Sequence, residues 1–166
     1  MPPVFIIGPP GAGKSTISRS AAEKLGWAHK TIDQWTPGRR ELSDAEVDVA
    51  LARLFVDVGA SNELVEFCHH DYQSLFAVPA NAHLRPRRKL LVFAPLEVCL
   101  ARNSARLSPV AQTYLERSWR SSEALSQSPS HLEGLCILDT GSMSVDVAIA
   151  RMIQWVRSSR GGGNAG

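Results

Sequence analysis
The stretch Gly8-Pro9-Pro10-Gly11-Ala12-Gly13-Lys14-Ser15-Thr16 leaves this chain few architectures to choose from. It follows the apolar run Val4-Phe5-Ile6-Ile7. It leads into Ile17, Ala21 and Leu25, spaced as on one face of a helix over 14–25, with Gly26 as the stop. Gly8, Gly13, Lys14 and Ser15 complete the pattern G-x-x-x-x-G-K-[ST] in the strand–loop–helix setting that gives it meaning. Glycine at 11 and 13 keeps side chains out of the way, so that backbone N–H groups can point inward around a phosphate. Lys14 supplies a point charge for the outer phosphates, and the Ser15 hydroxyl is a hard oxygen donor suited to Mg²⁺. The following helix turns its positive end to the same anion. Residues 8–16 therefore read as a nucleoside-triphosphate site, with ATP and Mg²⁺ as the implied ligands.

The chain's 166 residues, 44% of them hydrophobic and 20% charged, fit one domain over 1–160 followed by a flexible glycine-rich tail over 161–166. A net charge of +2 argues against a nucleic-acid-coating protein. Cys68, Cys99 and Cys136 are odd in number, far apart and beside apolar runs, which reads as reduced core thiols of a cytoplasmic protein. No segment has the length of a membrane span or the build of a leader, so neither membrane nor nucleic acid is expected as a partner.

In chain order, 28–32 reads as a short second strand beside the first, ending at Asp33, and 35–40 with Pro37-Gly38 reads as a loop. Ser43-Asp44-Ala45-Glu46 is a capping box for a helix ending near Gly59. Strands are expected over 62–68, 89–94 and 135–139, and helices over 96–106, from Ser108-Pro109 to about 125, and after Ser144. Strands alternating with helices imply a five-stranded parallel sheet between two helical layers, an α/β/α arrangement. The helix inserted before the last strand has no partner strand, so 103–128 reads as a helical lid.

Such a sheet binds ligands beyond the carboxyl ends of its strands. Asp33 stands at one of those ends, as general base, as a Mg²⁺ ligand through water, or as a turn cap. His69 and His70 are placed to orient or deprotonate an acceptor hydroxyl, the alternative being a hydrogen-bonded loop. Glu66 occupies the third strand, where a carboxylate would suit Mg²⁺, but alternation leaves its direction open. Arg102 and Arg106 fall four apart on one helix face, facing charge that develops in phosphoryl transfer; Arg117 and Arg120, three apart in the next helix, read as guides for the nucleotide, the alternative for both pairs being a solvated basic face. Trp35, Arg39 and Arg40 offer a stacking ring and cations for an acceptor.

The loop, Ile32-Asp33, and Phe93-Ala94-Pro95-Leu96-Glu97-Val98-Cys99-Leu100-Ala101-Arg102 with Arg106 resemble the small P-loop kinases: shikimate kinase, gluconate kinase, chloramphenicol phosphotransferase and the zeta-toxin-like kinases. The resemblance runs from about 4 to 157. It implies the P-loop nucleoside triphosphate hydrolase fold, with Asp33 as base or substrate anchor and Arg102 and Arg106 beside nucleotide and lid. It also implies Thr140, Gly141 and Ser142 near the adenine or ribose. Cys68-His69-His70-Asp71 stands where shikimate kinases have three glycines, and Asp33 lacks a paired acid, so shikimate is not the expected acceptor. No Asn-Lys-x-Asp motif reads a guanine, and no apolar run ends in Asp-Glu as in motor ATPases. Three functions compete: a kinase of small-molecule hydroxyls, a nucleoside or nucleotide kinase, and a nucleotide-dependent binding module.

Overall fold
The computed structural model describes residues 1–36, 43–59, 61–107 and 109–158. The loop at Pro37-Gly38, Arg39, Arg40, Ser108 and the 161–166 tail lie outside them. Five strands, β1 (Val4–Ile7), β2 (Ala28–Thr31), β3 (Glu63–Glu66), β4 (Lys89–Phe93) and β5 (Leu135–Asp139), form one parallel sheet in the order β2-β3-β1-β4-β5. Among the described residues six α-helices cover it: α1 (Lys14–Leu25), α2 (Asp44–Asp57), α3 (Tyr72–Ala77), α4 (Leu96–Ser104), α5 (Gln112–Gln127) and α6 (Val145–Ser158).

Each wholly buried strand sorts its side chains onto two faces. Val4, Ile6, Leu64, Leu90 and Val92 pack with α1 and α6 residues such as Ile17, Ala21, Ile149 and Met152. Phe5, Ile7, Val65 and Leu91 pack with Val47, Leu51 and Leu54 of α2 and Leu75 and Phe76 of α3. Burying one such aliphatic or phenyl side chain contributes about 1.5–3 kcal/mol. The capping box closes as expected, with the Glu46 amide on Ser43 Oγ and the Ser43 amide on Glu46 Oε2. No helix among the described residues is long and apolar enough to cross a membrane.

Two expectations change. β2 pairs with β3, not β1. Its sequence, Ala-His-Lys-Thr, is partly exposed and suits an edge, where Lys30 meets Asp57 and Glu63 at 3.1 Å each. Leu64 and Val65 are fully buried and take the interior place beside β1. The segment expected as a lid, 103–128, also divides. α5 lies on the sheet, with Leu115 in one core and Leu125 in the other. Between α4 and α5, the Asn103 side chain holds both the N–H and C=O of Val110, at 3.0 and 2.8 Å, and Leu107 is 97% exposed.

Lys89 starts β4 with no exposed surface and donates to the carbonyls of Arg85, Arg87 and Glu133 at 2.7, 2.6 and 3.0 Å. Burial pulls its ammonium down to about 8, against the attraction of Glu133, so it remains charged at neutral pH. Two chain segments, 85–87 and the turn at Glu133, thus end on one cation. Lys89→Met keeps the length and removes all three donors, and should lower unfolding free energy by about 2–4 kcal/mol in urea titration. A loss below 0.5 kcal/mol, on the order of a surface change, would mean that the carbonyls find water instead.

Candidate active site
The phosphate loop leaves β1 at Gly8 and enters α1 at Lys14. Gly8 has φ 141°, and a Cβ there would sit 2.1 Å from the Val92 carbonyl oxygen, so the loop crosses β4 only because this residue has no side chain. Gly11 faces α4 in the same way: a Cβ would lie 2.4 Å from the Cys99 carbonyl oxygen. Its glycine is therefore required by packing against the next helix as well as by the loop's curvature.

The loop is pinned from outside. Tyr72 Oη accepts the Gly8 N–H at 2.9 Å and donates to the Gly8 carbonyl at 3.1 Å. Burial pushes this phenol well above its usual range, so it stays protonated. Thr140 Oγ1 donates to the Ala12 carbonyl at 2.7 Å, and Arg102 Nη1 reaches the Gly11 carbonyl at 3.4 Å. Lys14 is buried and folds back onto the Pro9 carbonyl, 2.8 Å away, a partner that a phosphate oxygen would replace. The first turn of α1 carries no acidic residue, so its positive end is not neutralised from within the helix.

The carboxylate nearest the loop is Glu66. It follows Leu64 on the α1 face of β3, which settles the direction that alternation left open. Glu66 Oε1 accepts from Ser15 Oγ at 2.5 Å; Oε2 lies 2.8 Å from Ser18 Oγ and 2.9 Å from His29 Nε2. Burial alone would raise its pKa. The hydrogen bond with His29, the Lys14 charge and the two serine hydroxyls prevail and hold the carboxyl below its ordinary value. Ser15 and Glu66 thus bring two hard-oxygen groups together beside the loop, the donor chemistry that suits Mg²⁺.

Asp33 sits in the 3₁₀ turn Ile32–Trp35, exposed, its carboxylate without a partner among the described residues. Because β3 lies between, it stands two strands from β1. Burial pushes the Cys68 thiol up; the Lys14 charge opposes this, while those of Asp33 and Glu66 add to it. Trp35 Nε1 and His70 Nδ1 are both buried without a hydrogen-bond partner among the described residues. His70 stacks on His69 at 4.3 Å and lies 3.6 Å from Asp44, while His69 Nε2 meets Asp48 at 3.1 Å. Desolvation and the neighbouring His69 lower the His70 pKa, against Asp44. Asp71 is a helix cap, taking the Ser74 N–H at 3.0 Å and hydroxyl at 2.6 Å.

The arginines separate. Arg102 reaches the loop, but α4 ends at Ser104, so exposed Arg106 lies beyond the helix face they were expected to share. The chain turns there because Asn103 is bonded to Val110. Arg117 pairs with α2: it binds Asp44 in bidentate fashion, at 3.2 and 2.8 Å. Arg120 is exposed. Thr140 braces the loop through its hydroxyl, and Gly141 packs against Pro95, where a Cβ would lie 2.4 Å from Cδ. Arg40 lies outside the described residues. Sequence reasoning missed Tyr72, Ser18 and His29, none of which carries a local motif.

No family model and no curated protein matches the chain. Solved structures do. A sugar kinase from Janibacter sp. HTCC2649 is 21% identical, with 95% of each chain covered and a TM-score of 0.66. Deoxyadenosine kinase from M. mycoides with bound dATP is 14% identical, covering 93% of this chain and 99% of its own, TM-score 0.67. Shikimate kinase from Acinetobacter baumannii in complex with shikimate is 16% identical, covering 96% and 95%, TM-score 0.65. At these identities the likeness shows the fold, that of the small P-loop kinases.

The cap at Asp71 generates a pH-dependent expectation. Its bonds from Ser74 hold the carboxyl below its ordinary value of 3.8, so the folded state favours the ionised form. The stabilisation is full above that value and is lost as pH falls through the lower folded pKa. Asp71→Ala should cost about 1 kcal/mol at pH 7, and the gap to wild type should narrow in denaturant titrations as pH falls below 3.8 through the lower folded pKa. A gap that stays the same from neutral pH down through the acid limb would deny the carboxylate this role.

Proposed function
We propose that this chain is an ATP-dependent kinase that transfers the γ-phosphoryl group to a hydroxyl of a small-molecule acceptor. The observation that carries the reading is the completed phosphate loop with Ser15 Oγ 2.5 Å from the Glu66 carboxylate, on a fold whose solved examples include kinases. The loop N–H groups, the start of α1 and Lys14 would hold the phosphates. Ser15 and Glu66 would hold Mg²⁺, which when bound neutralises charge on the phosphate oxygens. Asp33 accepts the acceptor's hydroxyl proton as its oxygen bonds to the γ-phosphorus, and the bond to the bridging oxygen breaks to leave ADP. Arg102, which reaches the loop, would supply positive charge to the transferring group, with Arg106 joining it only if the turn after α4 brings it in. Trp35 Nε1 and His70 Nδ1, buried without a hydrogen bond among the described residues, would find one on the acceptor, and His69 stacks on His70.

A nucleoside acceptor is the second reading, favoured by the fold match to deoxyadenosine kinase and by the Trp35 ring beside Asp33. ATP consumption over a panel of sugars, sugar acids, cyclic alcohols and nucleosides separates the two. ATP binding with no acceptor-stimulated turnover would favour a binding module instead.

Lys14→Ala removes the charge on the outer phosphates and should lower turnover by about 10²–10³-fold or more with the melting temperature little changed. A variant keeping a tenth of wild-type activity would overturn the phosphate-loop reading.

Asp33→Asn keeps size and reach but takes no proton. Acceptor phosphorylation should fall by about 10²–10⁴-fold while ATP affinity stays within about threefold. Restoration of the rate by added Mg²⁺ would make Asp33 a metal ligand, and near-normal turnover with lowered stability would reduce it to a turn residue.

A further inference from the structure
We infer that His29 is a positioning residue for the metal site: its Nε2–H fixes the Glu66 carboxylate against Ser15. The inference rests on the kinase reading and extends it to a residue on the far edge of the sheet. His29 pairs in register with Leu64, two residues before Glu66 on the neighbouring strand. Its side chain is 14% exposed and that of Glu66 6%, so water competes little for their contact.

The proton inventory assigns the donor. Glu66 Oε1 takes the Ser15 hydroxyl at 2.5 Å. Oε2 has two neighbours, Ser18 Oγ at 2.8 Å and His29 Nε2 at 2.9 Å. Ser18 has one hydroxyl hydrogen and a second acceptor, the Lys14 carbonyl at 2.7 Å, one helical turn back. When that hydrogen goes to Lys14, only the His29 N–H is left to donate to Oε2, and the Nε2–H tautomer satisfies it. His29 Nε2 also lies 3.0 Å from Ser18 Oγ, so one imidazole edge braces both.

The length of the side chain explains the need. A glutamate has one more rotatable bond than an aspartate, and holding it in one rotamer costs more conformational entropy. Clamping Oε2 from the edge strand leaves Oε1 on the loop serine. His29 thus acts through Glu66 and is not itself placed to touch metal or phosphate.

The test is Mg²⁺ binding, read by calorimetry with a non-hydrolysable ATP analogue on the full chain. His29→Leu should bind the analogue without Mg²⁺ within about twofold of wild type. Its gain in affinity on adding Mg²⁺ should shrink by about 10–100-fold, the usual cost of losing an outer partner of a metal ligand. His29→Gln, which keeps an N–H donor, should recover most of that gain, a rescue that mere strand packing would not produce. His29→Val, suited to an edge strand, repeats the test if the leucine variant melts early. A wild-type Mg²⁺ dependence retained in both apolar variants overturns the assignment of His29 alone. Wild-type protein that binds the analogue equally with and without Mg²⁺ overturns the kinase reading, and this inference with it.

Discussion
The phosphate loop must hold its backbone donors open before any anion arrives. A free loop of this kind would collapse onto its own carbonyls, and ordering it would cost about 1–2 kcal/mol per residue at the moment of binding. Here the ordering is done by the fold. Tyr72 occupies both polar groups of Gly8, Thr140 takes the carbonyl of Ala12, and Arg102 reaches that of Gly11. The chain behind each brace comes from a different place: Tyr72 opens α3, Thr140 follows β5, and Arg102 lies in α4. Sheet order therefore bears on loop shape, because β3 and β4, which lead into α3 and α4, flank β1.

What was legible in the sequence was local. The loop pattern, the α1 stop at Gly26, the capping box at Ser43 and the Ser144 start of α6 each lie within a few residues, and each forms where expected. What was not legible joins distant segments. Tyr72 meets Gly8 across 64 residues and His29 meets Glu66 across 37. Glu66 itself was ambiguous for a physical reason: a strand buried on both faces has no polar alternation to show which way its carboxylate points. The placing of β2 failed similarly, since strand pairing depends on which apolar run best tolerates burial on both sides.

Glu66, His69, His70 and Tyr72 lie within seven residues, yet they serve three neighbouring parts of the site. Glu66 meets the loop serine, the histidines meet α2, and Tyr72 sets the loop's first turn. The connection is tied by one bond of its own, the Asp71 amide on His69 Nδ1 at 3.0 Å, and one to α5, the Tyr72 amide on Ser121 Oγ at 3.1 Å. Movement at α2 would thus be felt at the loop through packed groups, with no long relay.

The strength of those ties settles which part yields first. Asp44 and Arg117 are 44% and 48% exposed, and Asp48 is 60% exposed, so each charged contact is worth about 0–1 kcal/mol. Val47, Leu51 and Leu54, further along α2, are 5%, 1% and 0% exposed, and releasing any one of them costs about 1.5–3 kcal/mol. The first turn of α2 is therefore the cheap end and its middle the anchor. An acceptor with polar groups for His70 and Asp44 would replace contacts of little net worth, without breaking the core on which β3 and the loop depend. The low cost of this end of the helix and the rigidity of the loop follow from one division: charged ties at the surface, and fully buried bonds beneath.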